Sequence, residues 1–261
     1  MIRLLNDSDK TMVLKYLYED LNYNIFIIGD IEKFGMRAAF QRVYGEFDES
    51  HQLLSVFLRY RENAVYYADK IHFNKDYLEI FKKDPFEYFS GKTELTDLIK
   101  PYLKDYKNKH MYFCYADAIS EEVIEDKRIE TLQTLEDAGM LFDLLASIEE
   151  FNFSKKDKES FISQKINEPM GITLLIKEDK MIVSTVATTA ETSKNAMVVA
   201  VATHKDYRNK GYASLLMKAL MKIYIQDLNK SLCLFYDNPS AGKIYHHLGF
   251  ETIGTWDMFH R

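Results

Sequence analysis

The chain has 261 residues, of which 47% are hydrophobic and 28% charged, and it carries a formal net charge of -6. This composition is typical of a folded protein and excludes an intrinsically disordered chain. The negative charge disfavours a nucleic-acid binder held by phosphate contacts. No apolar run approaches the roughly 20 residues that span a bilayer, so we predict no membrane association.

The cysteines and histidines give no sign of a metal centre. Cys114 and Cys233 lie far apart and form no Cys-x-x-Cys motif, and the seven histidines have no ligand-like spacing. The first residues are too polar for a secretory signal. We therefore expect reduced thiols, no metal and a cytoplasmic protein.

The first half is rich in aromatic residues and alternates between helical and strand-like patterns. The patterns predict a strand at 3–6, a helix that begins at Ser8 as N-cap, and a helix or strand over 25–28. Further strands are predicted at 40–47, 53–60, 64–68 and 111–115, with helices around 77–81 and 95–106. The acidic segment 120–128 is the best linker candidate.

The second half repeats this coarse order. Helices are predicted over 132–148 and near 161, the latter with Ser154 and Asp157 as a capping-box-like start. Strands follow at 172–176, 181–188, 196–203, 232–236 and 252–259, the first two joined by a turn at 178–180. We predict an α/β fold of the α+β type, with domains at 1–125 and 126–261. The shared order reflects either a divergent duplication or the usual order of α/β domains of this size.

The most informative stretch runs from an apolar strand, through a short basic loop, into a helix. The loop reads Arg208-Asn209-Lys210-Gly211-Tyr212-Ala213. The first turn of a helix offers unsatisfied N–H groups beside a partial positive charge, and Gly211 allows close approach by a ligand. The loop therefore predicts a phosphate or pyrophosphate site; a basic loop that merely begins a helix is the alternative. Apolar positions predict that Tyr212, Leu215, Leu216, Ala219, Leu220 and Ile223 share the buried face.

A second element begins at Asn238 and ends at Phe250. Asn238 is a good N-cap before Pro239, and Gly249 with Phe250 gives a helix stop signal. Ala241, Ile244, Tyr245 and Leu248 are expected on one face.

Together, the two elements resemble the GNAT superfamily of N-acetyltransferases. The loop is similar to the family's Arg/Gln-x-x-Gly-x-Gly/Ala signature, and the second element to its Asn-x-x-Ala-x-x-x-Tyr-x-x-x-Gly-Phe pattern. The resemblance covers roughly residues 130–261. It implies a mixed, mostly antiparallel central sheet flanked by helices, with acetyl-CoA as co-substrate.

The resemblance also implies roles for individual residues. Tyr245 matches the family's general acid, which protonates the departing thiolate; packing on the apolar face is the alternative. Arg208 either contacts phosphate or holds the loop. The implied cofactor-binding residues are Val201, Thr203, Arg208, Asn209, Lys210, Gly211, Tyr212, Ala213, Ser214 and Asn238.

The general base is not identified by the resemblance. Cys233 stands where some relatives carry a glutamate, and His204, Glu191 and Glu149 are candidates by chemical type only. We expect transfer of an acetyl group to an amine on a small molecule or peptide. Transfer of a longer acyl or aminoacyl group, and a CoA-binding interaction protein without catalysis, remain open. The N-terminal half lacks the loop, so we expect one cofactor site per chain. The aromatic residues of that half serve core packing alone, which we favour, or they shape the acceptor pocket or form a homodimer surface.

Overall fold

A computed structural model describes residues 1–119, 125–151 and 157–261. Proximity of Cα atoms divides the chain into two compact units. The first unit comprises Met1–Cys114, Phe235–Asp237 and Thr252–Arg261, and the second comprises Tyr115–Leu234 and Asn238–Glu251. The sequence-based division after residue 125 stays a prediction. The last strand of the chain pairs within the first unit.

The first half of the chain follows the order strand, two helices, three strands, helix, strand, helix, strand. Its elements are β1 (Ile2–Leu4), α1 (Lys10–Tyr18), α2 (Ile25–Phe34), β2 (Gln41–Phe47), β3 (Leu53–Tyr60), β4 (Asn63–Ala68), α3 (Tyr77–Lys83), β5 (Tyr88–Lys92), α4 (Thr93–Ile99) and β6 (Lys107–Ala116).

The second half has the same order. Its elements are β7 (Ile129–Thr131), α5 (Leu135–Ala146), α6 (Lys158–Asn167), β8 (Thr173–Glu178), β9 (Met181–Thr189), β10 (Asn195–Thr203), α7 (Tyr212–Met221), β11 (Ser231–Tyr236), α8 (Pro239–His247) and β12 (Glu251–His260). A π-helical turn, Lys222–Asp227, continues α7.

The strand pairing is mixed and mostly antiparallel, as predicted. In the first unit the order is β1-β2-β3-β4-β5-β12-β6, and in the second it is β11-β10-β9-β8-β7. The recorded registers are antiparallel except for β4 with β5 and β10 with β11, which are parallel. In each half, the parallel pair is formed by the fourth and fifth strands. This shared position favours a divergent duplication as the origin of the two halves.

Each unit has its own apolar core. Large buried aromatic side chains fill the first, namely Phe57, Tyr66, Tyr77, Phe89 and Trp256. In the second, α5 packs on the sheet through a buried cluster of Leu141, Leu144, Leu145, Ile148, Leu175, Ile182 and Ala202. Among the described residues, none of the helices combines the length and apolar character that crossing a bilayer demands.

Several local predictions need correction. Ser8 is not the N-cap of α1. It lies in a 3₁₀ turn, Asp7–Asp9, that leads into α1, and Asn6 caps this turn by accepting the Ser8 backbone N–H at Oδ1 at 3.0 Å. The helix predicted over 95–106 ends at Ile99, because Pro101 follows in a 3₁₀ turn. The short strands β5 and β7 were not predicted, because three to five residues carry too little periodicity.

Other local signals are confirmed. Residues 25–28 are helical within α2. Asp179 and Lys180 both have positive φ in the tight turn between β8 and β9. Asp157 caps α6 by accepting the N–H groups of Glu159 and Ser160. Ser154 and most of the linker candidate, residues 120–124, lie outside the described residues.

Candidate functional site

Strand β10 leaves its parallel neighbour part-way along its length. The register between β10 and β11 has three pairs and ends at Met197 with Cys233, although β10 continues to Thr203. On its other side β10 pairs with β9, and that register shifts between Val199 and Ala202. Backbone donors and acceptors on a diverging strand are available to an extended ligand.

The register shift is a β-bulge centred on Ala200 and Val201. Ala200 has a φ of 53°, unusual for a residue with a Cβ, and both residues are partly exposed. Thr203 lies beyond the bulge, where its Oγ1 is 2.9 Å from the hydroxyl of Ser184. The structure thus places Val201 and Thr203, two of the predicted cofactor-binding residues, on the part of β10 that has left β11.

The loop after β10 folds into a concave turn. Lys205–Tyr207 form a 3₁₀ turn, after which Asn209 and Gly211 both have positive φ, at 62° and 81°. Arg208 Nε donates to the carbonyl of Thr203 at 3.2 Å, so this side chain ties the loop to the end of β10. That bond agrees with the structural role considered for Arg208.

The loop leads directly into α7. Gly211 is the N-cap residue, and no side chain caps the helix there. A Cβ built on Gly211 would meet nothing within 4 Å, so the space over the first helical turn is open. Backbone N–H groups at the start of a helix favour an anion. The residues from Arg208 to Gly211 are exposed, and those from Tyr212 to Ser214 are partly buried.

Two side chains beside the loop already have partners. Lys210 Nζ lies 4.4 Å from the centre of the Tyr207 ring. The Tyr212 hydroxyl donates to Glu178 Oε1 at 2.9 Å, and this carboxylate raises the pKa of Tyr212. The Arg128 guanidinium lies 5.7 Å from the same ring. Tyr212 therefore anchors the start of α7 to the β8–β9 turn.

The buried face of α7 differs from the predicted one. The buried side chains are Leu216, Met217, Leu220 and Met221, whereas Tyr212, Leu215, Ala219 and Ile223 are partly exposed. The helix passes into a π-helical turn at Lys222. The 3.6-residue period that was used for the prediction therefore does not extend to Ile223.

The second predicted element has the expected caps. Asn238 Oδ1 accepts the Ser240 N–H at 2.9 Å, and Gly249 has a φ of 96°. The Phe250 N–H donates back to the carbonyl of Tyr245 at 3.0 Å, which closes the helix end. Tyr245 is buried and its ring makes an edge contact with Phe250, whereas Ile244 is exposed against expectation.

The side chains of the three candidate bases, His204, Glu191 and Glu149, make no described contact with the separating ends of β10 and β11. His204 caps the 3₁₀ turn, accepting the Asp206 N–H at Nδ1. Glu191 pairs with Lys230 and accepts the Tyr224 hydroxyl at 3.2 Å. Glu149 is exposed in a separate turn. Cys233 is buried, so that position supplies no exposed base.

Among the described residues there is no group of three or more His, Cys, Asp or Glu side chains that could hold a metal ion.

Residues 138–250 match the model of the acetyltransferase (GNAT) family. They form a GNAT acetyltransferase domain. The matched range contains the bulged strand, the loop, Asn238 and Tyr245, and the family implies acyl transfer from acyl-CoA to an acceptor.

Solved structures extend the likeness of fold to the whole chain. A Drosophila protein superposes with a TM-score of 0.75 at 10% identity, over 100% of this chain and 98% of that one. A tandem GNAT protein from the clavulanic acid biosynthesis pathway gives 0.57 at 10% identity, over 99% and 97%. At these identities the likeness concerns the fold.

A putative GNAT acetyltransferase from Novosphingobium aromaticivorans matches a smaller part of the chain. It gives a TM-score of 0.48 at 17% identity, over 59% of this chain and 64% of its own length. No curated protein matches the chain.

Proposed function

We propose that this chain is an N-acyltransferase that moves an acetyl group from acetyl-CoA directly to a primary amine of a small molecule or peptide. The observation that carries the proposal is the path from β10 into α7. A bulged strand leaves its neighbour and runs into a loop with two positive-φ residues, followed by a helix whose N-terminus no side chain caps.

The residues present fit the two polar parts of acetyl-CoA. The open space over Gly211 accommodates a pyrophosphate, held by the backbone N–H groups from Asn209 to Ser214. The backbone of Val201 and Thr203 pairs with the pantetheine arm, as an added strand would. Asn238 adds a side-chain amide at the end of β11, where it also caps α8.

The chemistry follows from positioning and electrostatics. Holding the thioester along β10 converts a bimolecular attack into an effectively unimolecular one. Backbone N–H groups freed at the bulge polarise the thioester carbonyl as the amine attacks. The amine loses one N–H proton to water as its nitrogen bonds to the carbonyl carbon. The carbon–sulfur bond breaks, Tyr245 donates its hydroxyl proton to the departing thiolate to give the free thiol, and Tyr245 regains a proton from water.

Calorimetric titration with acetyl-CoA tests the proposal. We expect micromolar binding at one site per chain, and loss of binding in Gly211→Glu, because the new carboxylate fills and repels the anion site. Gly35→Glu is the matched control. Gly35 also has a positive φ, 73°, with nothing within 4 Å of a built Cβ. Its ψ of -162° is less favourable for a side chain than the ψ of 2° at Gly211, so the control carries at least as much backbone strain at a position outside the loop.

Each result has a defined meaning. No binding by the wild-type protein, or equal loss of binding in both glycine variants, would contradict the cofactor assignment. Binding without thiol release from any amine would favour a CoA-binding interaction protein. A faster reaction with longer acyl-CoA donors would replace the acetyl group in the proposal. A cytoplasmic site of action belongs to the same proposal, and the two buried cysteines, neither of which forms a disulfide, are compatible with it.

A further inference from the structure

One carboxylate of the first unit has no hydrogen-bond donor in the part of the chain that the structure describes. Asp30 lies on α2 and is partly buried, and no described group donates a hydrogen bond to it. Burial raises the pKa of Asp30 to about 7, although the charge of Lys33 acts in the opposite direction. Carboxylates that lose contact with water are normally hydrogen-bonded or paired, because their desolvation is costly. The oxygen atoms of Asp30 are therefore suited to accept hydrogen bonds from a ligand.

Asp30 lies between two phenylalanine side chains on one face of α2. Phe26, Asp30 and Phe34 follow one another at intervals of four residues, and all three are partly exposed. Side chains at this spacing on a helix have Cβ atoms about 5–6 Å apart. The Phe26 ring is held by contacts with Phe235 and Trp256, at 6.1 and 5.9 Å between ring centres. A ligand at Asp30 thus has an aromatic side chain on either side along the helix.

Phe34 also belongs to a cluster of three aromatic rings, Phe34, Phe40 and Tyr60. The centre of the Phe34 ring lies 5.2 Å from that of Phe40 and 5.6 Å from that of Tyr60. Two cations of the chain itself lie over these rings. Lys33 Nζ is 5.6 Å from the centre of the Phe34 ring, and Arg61 Cζ is 5.2 Å from that of Phe40. Because ring faces attract cations and cover apolar groups, this cluster suits the body of a cationic organic ligand.

We propose that Asp30, Phe26 and Phe34 form a binding site for a primary ammonium group attached to an apolar or aromatic body. The N–H groups of the ammonium donate to the Asp30 carboxylate, and the positive charge favours its ionised form. The apolar body covers the Phe34 ring. An anionic ligand does not fit, because Asp30 repels it. All three residues belong to the first unit, and the site does not rest on the proposed acyl transfer.

A ligand-observed NMR titration without acetyl-CoA tests the proposal, with 2-phenylethylammonium as the probe. At about pH 8 the ammonium is charged and most of the Asp30 carboxylate is ionised. We expect saturable binding by the wild-type protein. Binding should be about 10-fold weaker in Asp30→Asn, which keeps the shape of the side chain and removes its charge, because a hydrogen bond to a charged group contributes at least this much.

A second probe separates the charge from the apolar body. 2-Phenylethanol has the same body without the charge, so it should bind more weakly than the ammonium and equally well to the wild-type protein and Asp30→Asn. This equality also shows that the variant is folded. Phe34→Ala should weaken the binding of both probes, because it removes the ring that the body covers.

Asp97→Asn is the matched control. Asp97 is an exposed carboxylate on α4 of the same unit, so this variant changes the net charge equally and should keep the wild-type affinity. Three results would overturn the inference: no saturable binding of the ammonium by the wild-type protein, equal affinity in the wild-type protein and Asp30→Asn, or equal weakening in Asp97→Asn and Asp30→Asn. Each of them would leave the assignment of acetyl-CoA to the second unit unaffected.

Discussion

Tyr245 has a packing role in the structure and, in the proposed function, a chemical role as well. Its ring is buried against Phe250, because the end of α8 returns the Phe250 N–H to the Tyr245 carbonyl. The packing requires the ring, whereas proton donation requires the hydroxyl. Substitution by phenylalanine therefore separates the two roles.

We predict that Tyr245→Phe lowers kcat about 100-fold while the affinity for acetyl-CoA stays nearly unchanged. The ring contact with Phe250 remains, so the thermal midpoint should change little. Steady-state kinetics and calorimetry provide the two measurements. Tyr88→Phe, at an exposed position in the first unit, is the control for loss of a hydroxyl. Full turnover in Tyr245→Phe would remove its catalytic role.

Glu46 is a buried carboxylate whose role is structural. It accepts hydrogen bonds from Ser55 at 2.8 Å, Asn74 at 2.8 Å and His72 at 3.0 Å. Burial alone raises the pKa of Glu46, but the bonds from Asn74, Ser55 and His72 outweigh it and hold that pKa below its usual range. Since the pKa is lower in the folded than in the unfolded chain, the carboxylate stabilises the fold at neutral pH, and this contribution is lost as the solution becomes acidic.

We predict that Glu46→Gln lowers the free energy of unfolding by about 2 kcal/mol at pH 7, because the amide cannot accept all three donors. The difference from the wild-type protein should shrink below about pH 4, where the carboxylate becomes protonated. Urea unfolding at several pH values measures it. Glu79→Gln, which breaks an exposed pair with Lys82, should change stability little. A difference that grows towards acidic pH would contradict the assigned direction.

At the scale of elements, the proposed function gives Asn238, the N-cap residue of α8, two roles. Asn238 caps the helix through Oδ1, and in the proposal its amide nitrogen binds the pantetheine arm. The cap needs only an oxygen acceptor, so the two functions call for different atoms of one side chain.

We predict that Asn238→Ala lowers stability by about 1 kcal/mol and also weakens acetyl-CoA binding. Asn238→Asp should keep the stability, since a carboxylate caps a helix N-terminus well, yet it should weaken binding because it removes the N–H donor. Thermal unfolding and calorimetry on the same samples distinguish the two effects. If Asn238→Asp binds as tightly as the wild-type protein, the residue is a cap and nothing more.

At the scale of the whole molecule, both halves follow one order of elements, with a parallel strand pair at the same place. They differ after that pair. In the first half, residues 69–76 contain no glycine, and α3 begins after Asp76. A carboxylate at the start of a helix repels an anion. We therefore expect a pyrophosphate loop in the second half alone.

We predict a stoichiometry of one acetyl-CoA per chain, falling to zero in Gly211→Glu. Native mass spectrometry and calorimetry measure it independently. Binding that persists at one site in Gly211→Glu would show that the first half has kept a cofactor site of its own.

Local signals in the sequence determined the strand–loop–helix path around Gly211, both caps of α8 and most strand positions, because each depends on residues that are neighbours in the chain. Two local predictions were wrong because another local signal competed with the one that was used. Asn6, rather than Ser8, is the cap residue, and Pro101 ends the helix that was expected over 95–106. The bulge at Ala200 has no signal in a run of valine and alanine, since only pairing with β9 creates it.

The tertiary structure alone decided which distant residues meet. Asp257 and His110 are 147 positions apart, and they pair because β12 lies between β5 and β6 in the first unit. Hydrophobic period predicts that a segment is a strand but does not select its neighbours in a sheet. The sequence alone therefore predicted the cofactor loop, while the pairing of Asp257 with His110 emerged only when the strands were placed side by side.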